Sequence, residues 1–212
     1  MKLSLDGPIH PKSIDLGNRE NKKQLIRILV HALKSARIPR ANGKLIVTGE
    51  DPIPFEINHS GLIPRDDLKT LHEEADTIIV SQMLSMITEG YEQISVICDD
   101  TDVFLILLHH FHRYRLIQRL PPVDVLMNPT SLSTKSIPIR NTVESLREDV
   151  ISNLLAAHAL SGCDTVPQMF SIGKKKVIKV LMSGSMNGKL LKCLGDLDSG
   201  LSWEAIGQWT SM

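Results

Sequence analysis

The feature that most constrains this chain is a short apolar run that ends in three carboxylates within four residues. The run, Ile94–Cys98, is bounded and contains β-branched residues, which is typical of a buried strand. Asp99, Asp100 and Asp102 follow it at once. Neighbouring carboxylates repel one another unless a cation, a basic partner or water offsets their charge. Open α/β sheets collect ligand sites at the carboxyl ends of their strands, so we expect these acids to bind a metal or a cationic ligand, or else to be fully solvated.

Charge is unevenly distributed along the chain, although its 212 residues carry no net charge. Residues 65–102 hold ten acidic side chains against two basic ones, whereas residues 161–194 hold six lysines against one aspartate. An acidic centre followed by a basic segment is consistent with a protein that binds metal and a polyanion such as nucleic acid.

The composition indicates neither a membrane protein nor a protein held together by disulfide bonds. No run reaches the roughly 18 apolar residues that a membrane span requires, so we expect no membrane partner. The three cysteines lack CxxC spacing and predict neither a disulfide framework nor a zinc site. We therefore expect an intracellular protein, nuclear or cytoplasmic. Three histidines in an apolar stretch (109, 110 and 112) favour packing over metal binding because of their spacing.

The hydrophobic pattern predicts helices that alternate with strands. We expect helices over residues 19–37, from 66 or 67 to 88, over 101–112, 142–160 and within 170–181, and strands over 44–49, 94–98, 123–127 and 136–139. Asn18 is the expected cap of the first helix, and Asn141 or Thr142 that of the long helix ending at Gly162. Such alternation predicts an α/β sandwich with a mainly parallel sheet.

Acidic residues form three groups near the ends of these elements, namely Glu73/Glu74/Asp76, Asp99/Asp100/Asp102 and Asp164. Hard divalent cations bind carboxylate oxygens and keep some waters, so acids from separate loops can hold one or two of them. Two such ions roughly 4 Å apart can activate water and stabilise a leaving oxygen. The alternative is structural, because glutamates favour the N-terminal half of a helix and an aspartate cluster can be a turn.

The order and spacing of the acids carry a family resemblance. The series Glu74-Ala-Asp76, Asp100-Thr-Asp102 and Gly162-Cys-Asp164, followed by Ile172-Gly-Lys-Lys-Lys176, resembles flap-endonuclease-like (PIN-like, 5′-nuclease superfamily) domains. The longer strings His72-Glu-Glu-Ala-Asp-Thr77, Asp99-Asp-Thr-Asp-Val103 and His158-Ala-Leu-Ser-Gly-Cys-Asp-Thr165 are similar to an uncharacterised, transposon-associated animal branch. The resemblance covers about residues 18–182.

The resemblance implies a metal-dependent nuclease that hydrolyses phosphodiester bonds in structured DNA or RNA. The residues it assigns as catalytic metal ligands are Glu74, Asp76, Asp100, Asp102 and Asp164, which would hold one or two Mg²⁺ or Mn²⁺ ions. The choice of Glu74 rests on the alignment, because helical spacing alone would favour Glu73, which shares a face with Asp76. The implied fold is a three-layer α/β/α sandwich with a mainly parallel central sheet, followed by a helical C-terminal element.

The lysine-rich segment corresponds to the family's helix-hairpin-helix-type element, which holds a DNA phosphate near a helix N-terminus. The nucleic-acid-binding residues implied here are Gly173, Lys174, Lys175, Lys176 and Lys179, which would contact the DNA or RNA backbone without reading its sequence. The expected organisation is an extended lead-in (1–17), a PIN-like core (18–165) and the lysine-rich element with C-terminal helices (166–212), in a monomer.

One departure concerns the N-terminus, where family members carry a strand with the first metal-binding aspartate. The chain begins too late for that strand, so we expect the site to lack one ligand and the enzyme to be inactive if nothing replaces it. The alternative is a catalytically degenerate domain that binds nucleic acid or protein. A less favoured alternative treats Asp100-Thr-Asp102 as the DxD motif of a haloacid-dehalogenase-like phosphatase with Asp100 as the nucleophile.

Overall fold

A computed structural model describes residues 18–35, 43–71, 75–118, 123–131, 135–163 and 173–184. These residues form six α-helices and six strands, and the chain divides into two compact units, Met1–Ile78 and Ile79–Met212. The predicted alternation is thereby confirmed as a mixed α/β fold. The strands lie in two small sheets of three strands each, and the described residues do not show a three-layer sandwich around a mainly parallel sheet.

The first unit begins with helix α1 (Arg19–Lys34). Asn18 caps this helix as predicted, because its side chain accepts a hydrogen bond from Glu20 N at 2.9 Å. That bond satisfies one of the amides that every helix start leaves without an intrahelical partner. Three antiparallel strands follow in chain order, β1 (Leu45–Val47), β2 (Phe55–Asn58) and β3 (Gly61–Pro64).

The β2–β3 hairpin was not anticipated from the sequence. Its turn depends on Asn58, whose Oδ1 accepts a hydrogen bond from Ser60 N at 2.8 Å, and on Gly61, which has a φ of 126°. Only glycine adopts that backbone conformation readily. The turn sequence Asn58-His59-Ser60-Gly61 contains the asparagine, serine and glycine that are typical of turns, but the prolines before β2 concealed the strand.

The second unit is organised around a mixed sheet. The last part of helix α2 (Ala75–Thr88) leads into β4 (Gln93–Ile97), which helix α3 (Thr101–Gln118) connects to the parallel strand β5 (Asp124–Asn128). The short strand β6 (Ile137–Pro138) pairs antiparallel with β5. The helices α4 (Ile139–Ser145), α5 (Glu148–Leu160) and α6 (Lys174–Ser183) complete the described part of this unit.

One face of this sheet packs into the core of the second unit. Ile94, Val96, Val125 and Met127 are buried on that face, beside apolar side chains of α3, α4 and α5. The alternate residues of both strands point the other way, and Ile97 is 71% exposed. The period of two along each strand therefore decides which side chains enter the core.

The helix predicted from residue 66 or 67 to Thr88 is wrong at its start. Residues Asp66–Leu68 form a short 3₁₀ turn and Lys69 is extended, so the described helix begins at Ala75. Arg65 explains the difference, because its Nε and Nη2 donate to the two carboxylate oxygens of Asp67 at 2.8 and 2.7 Å. This guanidinium also holds the pKa of Asp67 below its ordinary value.

The single helix predicted over residues 142–160 is also wrong, because two helices occupy that stretch. Leu146 and Arg147 separate α4 from α5 with extended backbone angles, ψ being 146° and 148°. The Arg147 side chain is held by Asp149 and by the carbonyl oxygens of Leu181 and Met182. Thr142 does not cap a helix, since its hydroxyl donates to the carbonyl oxygen of Pro138 at 2.7 Å within α4.

Several predictions fall outside the described residues. These are the extended lead-in (1–17), the domain boundary between residues 165 and 166, and the C-terminal helices. Within the described ranges, no helix combines the length and the apolar character that crossing a membrane requires.

Candidate functional site

The carboxyl ends of the parallel strands β4 and β5 bring their following loops together. Ile97 pairs with Asn128 at the last step of the ladder, and Cys98 N continues it by donating to the carbonyl oxygen of Asn128 at 3.0 Å. The loop that carries the three aspartates therefore leaves the sheet beside the loop that carries Thr130. Parallel strands place loops together at this edge, which is why such edges bind ligands.

Asp99 joins these two loops. One carboxylate oxygen accepts a hydrogen bond from Thr130 N at 3.0 Å, and the other accepts one from the Thr130 hydroxyl. With both oxygens engaged by the neighbouring loop, Asp99 serves as a structural tether. The choice of Asp100 and Asp102, and not Asp99, as the candidate ligands is consistent with these contacts.

Asp100 lies directly before helix α3 and accepts a hydrogen bond from Asp102 N at 2.8 Å through Oδ1. This is the contact by which an aspartate caps a helix. The cap uses one carboxylate oxygen and leaves the side chain exposed at the strand end. Asp100 is therefore held in a defined position by local structure, and that position is accessible to a ligand.

Asp102 meets a residue that received no role in the sequence analysis. His158, in the last turn of α5, places its Nε2 2.8 Å from Asp102 Oδ1. The side chain of His158 is only 12% exposed and that of Asp102 is 26% exposed. The contact is short but lacks the alignment of a hydrogen bond, and Nε2 has no hydrogen-bond partner among the described residues.

The structure brings together only part of the predicted ligand set. Asp100 and Asp102 lie at the same strand end, and Asp76 lies in the first turn of α2, within the first unit. Glu74 and Asp164 fall outside the described residues. Among the residues that are described, no three His, Cys, Asp or Glu side chains converge closely enough to hold a metal ion.

The predicted nucleic-acid-binding residues lie on and before α6. Gly173 precedes the helix with an extended backbone and has no side chain that could accept bonds from the first-turn amides. Val177 and Leu181 anchor the helix in the core of the second unit, which turns the four lysines 174, 175, 176 and 179 outward. No acidic residue occupies the first turn, so this end of the helix is strongly positive.

A groove of about 510 Å³ lies elsewhere on the second unit. Gln93, Asp124, Pro138 and Arg140 line it, so it lies beside the first residues of β4 and β5 and not beside the acids. Its lining reaches Ser95 and Leu126, two residues before the carboxyl ends of the strands, which is about 7 Å at a rise of roughly 3.3 Å per residue. This groove does not coincide with the candidate site.

His158 and Thr130 are the two residues of this edge that sequence reasoning missed. The signal for His158 was its place in the string that precedes Asp164, in the last turn of the helix. Comparisons of the chain with protein-family models, curated proteins and solved structures find no match. The resemblance to flap-endonuclease-like domains therefore stays a prediction from the motifs.

Proposed function

We propose that this chain is a divalent-metal-dependent, nuclease-like domain that acts on phosphodiester bonds in structured DNA or RNA. The proposal includes a PIN-like, three-layer arrangement with a mainly parallel sheet for the complete domain. The observation that carries it is the position of Asp100 and Asp102 at the carboxyl ends of two parallel strands. Open α/β sheets bind ligands at this edge.

The proposed chemistry assigns the acids to cation binding. Asp100 and Asp102 would hold Mg²⁺ or Mn²⁺, together with Glu74, Asp76 and Asp164 as the resemblance implies. A bound ion supplies an activated water and offsets the charge on the leaving oxygen. Asp99 and Thr130 keep the two loops at a fixed separation, so that the ligand-bearing loop keeps its geometry.

The lysine-rich helix supplies the second half of the proposal. Exposed Lys174, Lys175, Lys176 and Lys179 lie on a helix whose start is not capped by any side chain of the described residues. A helix N-terminus and lysines both favour phosphate oxygens. Contacts of this kind hold a nucleic-acid backbone irrespective of its sequence, and their affinity falls as salt rises.

The test is cleavage of labelled flap and hairpin DNA by the purified chain in Mn²⁺ or Mg²⁺. We expect Asp100→Asn to abolish metal-dependent cleavage, because the amide removes the charge that holds the ion. Asp124→Asn is the matched control, since Asp124 is an exposed carboxylate at the opposite end of the same sheet. A wild-type chain that binds neither Mn²⁺ nor these DNAs contradicts the proposal.

A second candidate function is binding without cleavage. It is favoured by the structural partners of the acids, since Asp99 contacts Thr130, Asp100 caps α3 and Asp102 contacts His158. In that case hairpin DNA binds equally well after Asp100→Asn. The same binding is lost when the four lysines of α6 are replaced by glutamine, and no cleavage is detected with either metal.

A further inference from the structure

His158 Nε2 is a buried polar atom that requires an explanation. Leaving such an atom without a hydrogen bond is unfavourable, so native proteins rarely do so without cause. Asp102 Oδ1 lies only 2.8 Å away, yet the ring nitrogen and the carboxylate are not aligned as donor and acceptor. An imidazolium–carboxylate pair would normally form a short and aligned hydrogen bond.

The 2.8 Å separation between His158 Nε2 and Asp102 Oδ1 is also typical of two ligands that bind the same metal ion. Ligands at right angles around an ion, each about 2.0–2.1 Å from it, are about 2.9 Å apart. In that arrangement both donors point toward a third position and not toward each other. The distance and the poor alignment between His158 Nε2 and Asp102 Oδ1 both match it.

We infer that His158 Nε2 and Asp102 Oδ1 are adjacent ligands of one cation, and that the nitrogen makes the site prefer a first-row transition ion to Mg²⁺. The inference rests on the proposed function, because it places the ion at the same strand end, and it adds a ligand from α5. Imidazole suits transition ions, whereas Mg²⁺ prefers oxygen ligands alone.

The surroundings of the pair fit an ion that also meets a substrate. Asp102 lies in the first turn of α3 and keeps 26% of its side chain exposed, so water and phosphate oxygens can reach the ion. Cations in phosphoryl-transfer sites are commonly held by one or two protein ligands, with water and substrate phosphates in the other positions. Asp100 stands next to the pair, since its Oδ1 accepts a hydrogen bond from Asp102 N.

The experiment measures Mn²⁺ binding to the full chain by electron paramagnetic resonance of the free ion, and Mg²⁺ binding by competition. We expect the wild-type chain to bind Mn²⁺ at least ~10-fold more tightly than Mg²⁺. His158→Gln should weaken Mn²⁺ binding by at least ~10-fold, since even indirect partners of metal ligands contribute 10–100-fold. Mg²⁺ binding should change little, which also shows that the variant is folded.

His112→Gln is the matched control. Its buried Nε2 likewise has no hydrogen-bond partner in the described part of the chain, but it lies ten residues after Asp102 in α3, about 15 Å along the helix. We expect this variant to bind Mn²⁺ as the wild type does. In a double-mutant cycle, His158→Gln and Asp102→Asn should be strongly non-additive, because either change disrupts the same ion site.

The outcomes separate the inference from the proposed function. Unchanged Mn²⁺ binding in His158→Gln overturns the inference and leaves the nuclease proposal standing. Equal loss of Mn²⁺ and Mg²⁺ binding also overturns it, because His158 would then act only on the fold. A wild-type chain that binds neither ion overturns both.

Discussion

The two units of this chain bury very different amounts of apolar surface. Among the described residues, the apolar side chains that the first unit buries are Val47, Pro54 and Ile57, and its helix α1 leaves Ile28 and Leu29 about half exposed. The second unit buries twenty-one apolar side chains in one cluster. Asp100, Asp102, His158 and the lysines of α6 belong to this second unit, whereas the candidate ligand Asp76 belongs to the first.

Both units hold ion pairs, but in the first unit these accompany a much smaller buried core. Arg65 binds Glu56 at 2.9 Å as well as Asp67, and Arg27 binds Glu50 at 2.6 Å. The more exposed Arg27–Glu50 pair contributes at most about 1 kcal/mol. The Arg65 and Glu56 side chains are only 12% and 13% exposed. Buried apolar side chains contribute about 1.5–3 kcal/mol each. We therefore expect the second unit, with its larger buried cluster, to be the more rigid of the two and to hold site residues in more precise positions.

The largest expected effect tests the cluster directly. Phe111 is fully buried in α3, and replacing it with alanine should lower the free energy of unfolding by about 3–5 kcal/mol. Leu116→Ala, at an exposed position of the same helix, should change it by less than about 0.5 kcal/mol. Urea unfolding followed by far-ultraviolet circular dichroism measures both. Equal effects would show that the cluster does not support the second unit.

A smaller effect is expected from the core of the first unit. Ile57 is 4% exposed, and Ile57→Ala should cost about 2 kcal/mol, the lower end for such changes, because neighbouring side chains are half exposed. Hydrogen exchange in β1–β3 is the measurement, with Leu62→Ala on the exposed strand β3 as control. A loss as large as that of Phe111→Ala would break the contrast between the units.

The smallest effect concerns pH, and it arises because the second unit half-buries a titratable ring. Burial, with the positive charges of His110, Arg113 and His112, lowers the pKa of His109 to about 4. The unfolded chain binds this proton near pH 6.5, and the folded chain does not. The free energy of unfolding should therefore be highest above pH 6.5 and fall as the pH drops toward 4.

His109→Gln should flatten this pH dependence, as urea unfolding at pH 7.5 and 4.5 would reveal. His59→Gln, in the exposed β2–β3 turn, should leave the dependence unchanged. An identical slope in the His109→Gln chain would exclude His109 as its source. The effect is expected to be modest because water still screens part of the ring.

Most regular elements could be predicted from local pattern alone. The apolar runs before Asp99 and after Val123 became β4 and β5, and Pro138 lies in a two-residue edge strand because it cannot donate to a ladder. The cap at Asn18 and the helix end at Gly162, which has a φ of 92°, also follow from residue chemistry. The failures had two kinds of cause. The 3₁₀ turn at Asp67 and the missed β2–β3 hairpin depend on neighbouring residues, whereas the break in the long helix depends on a distant partner.

Arg147 shows the physical reason for such a failure. Its neighbours read as one long amphipathic helix, but its guanidinium binds carbonyl oxygens of α6, 34 and 35 residues further along the chain. No window of the sequence contains that contact. The candidate site shows the same limit. The sequence predicted the acids, but it did not predict the contact between Asp102 and His158, which lies 56 residues further along the chain.

The sequence by itself determined that three aspartates follow a buried strand and that a lysine cluster begins a later helix. Both follow from local order, since hydrophobic period and charge spacing are properties of neighbouring residues. Only the tertiary structure decided their roles. Asp99 binds Thr130 because β5 lies parallel to β4. Asp102 contacts His158 because α5 packs against α3. Contacts between distant residues exist only after the chain has folded, and they separate the candidate ligands from the acids that hold the loops.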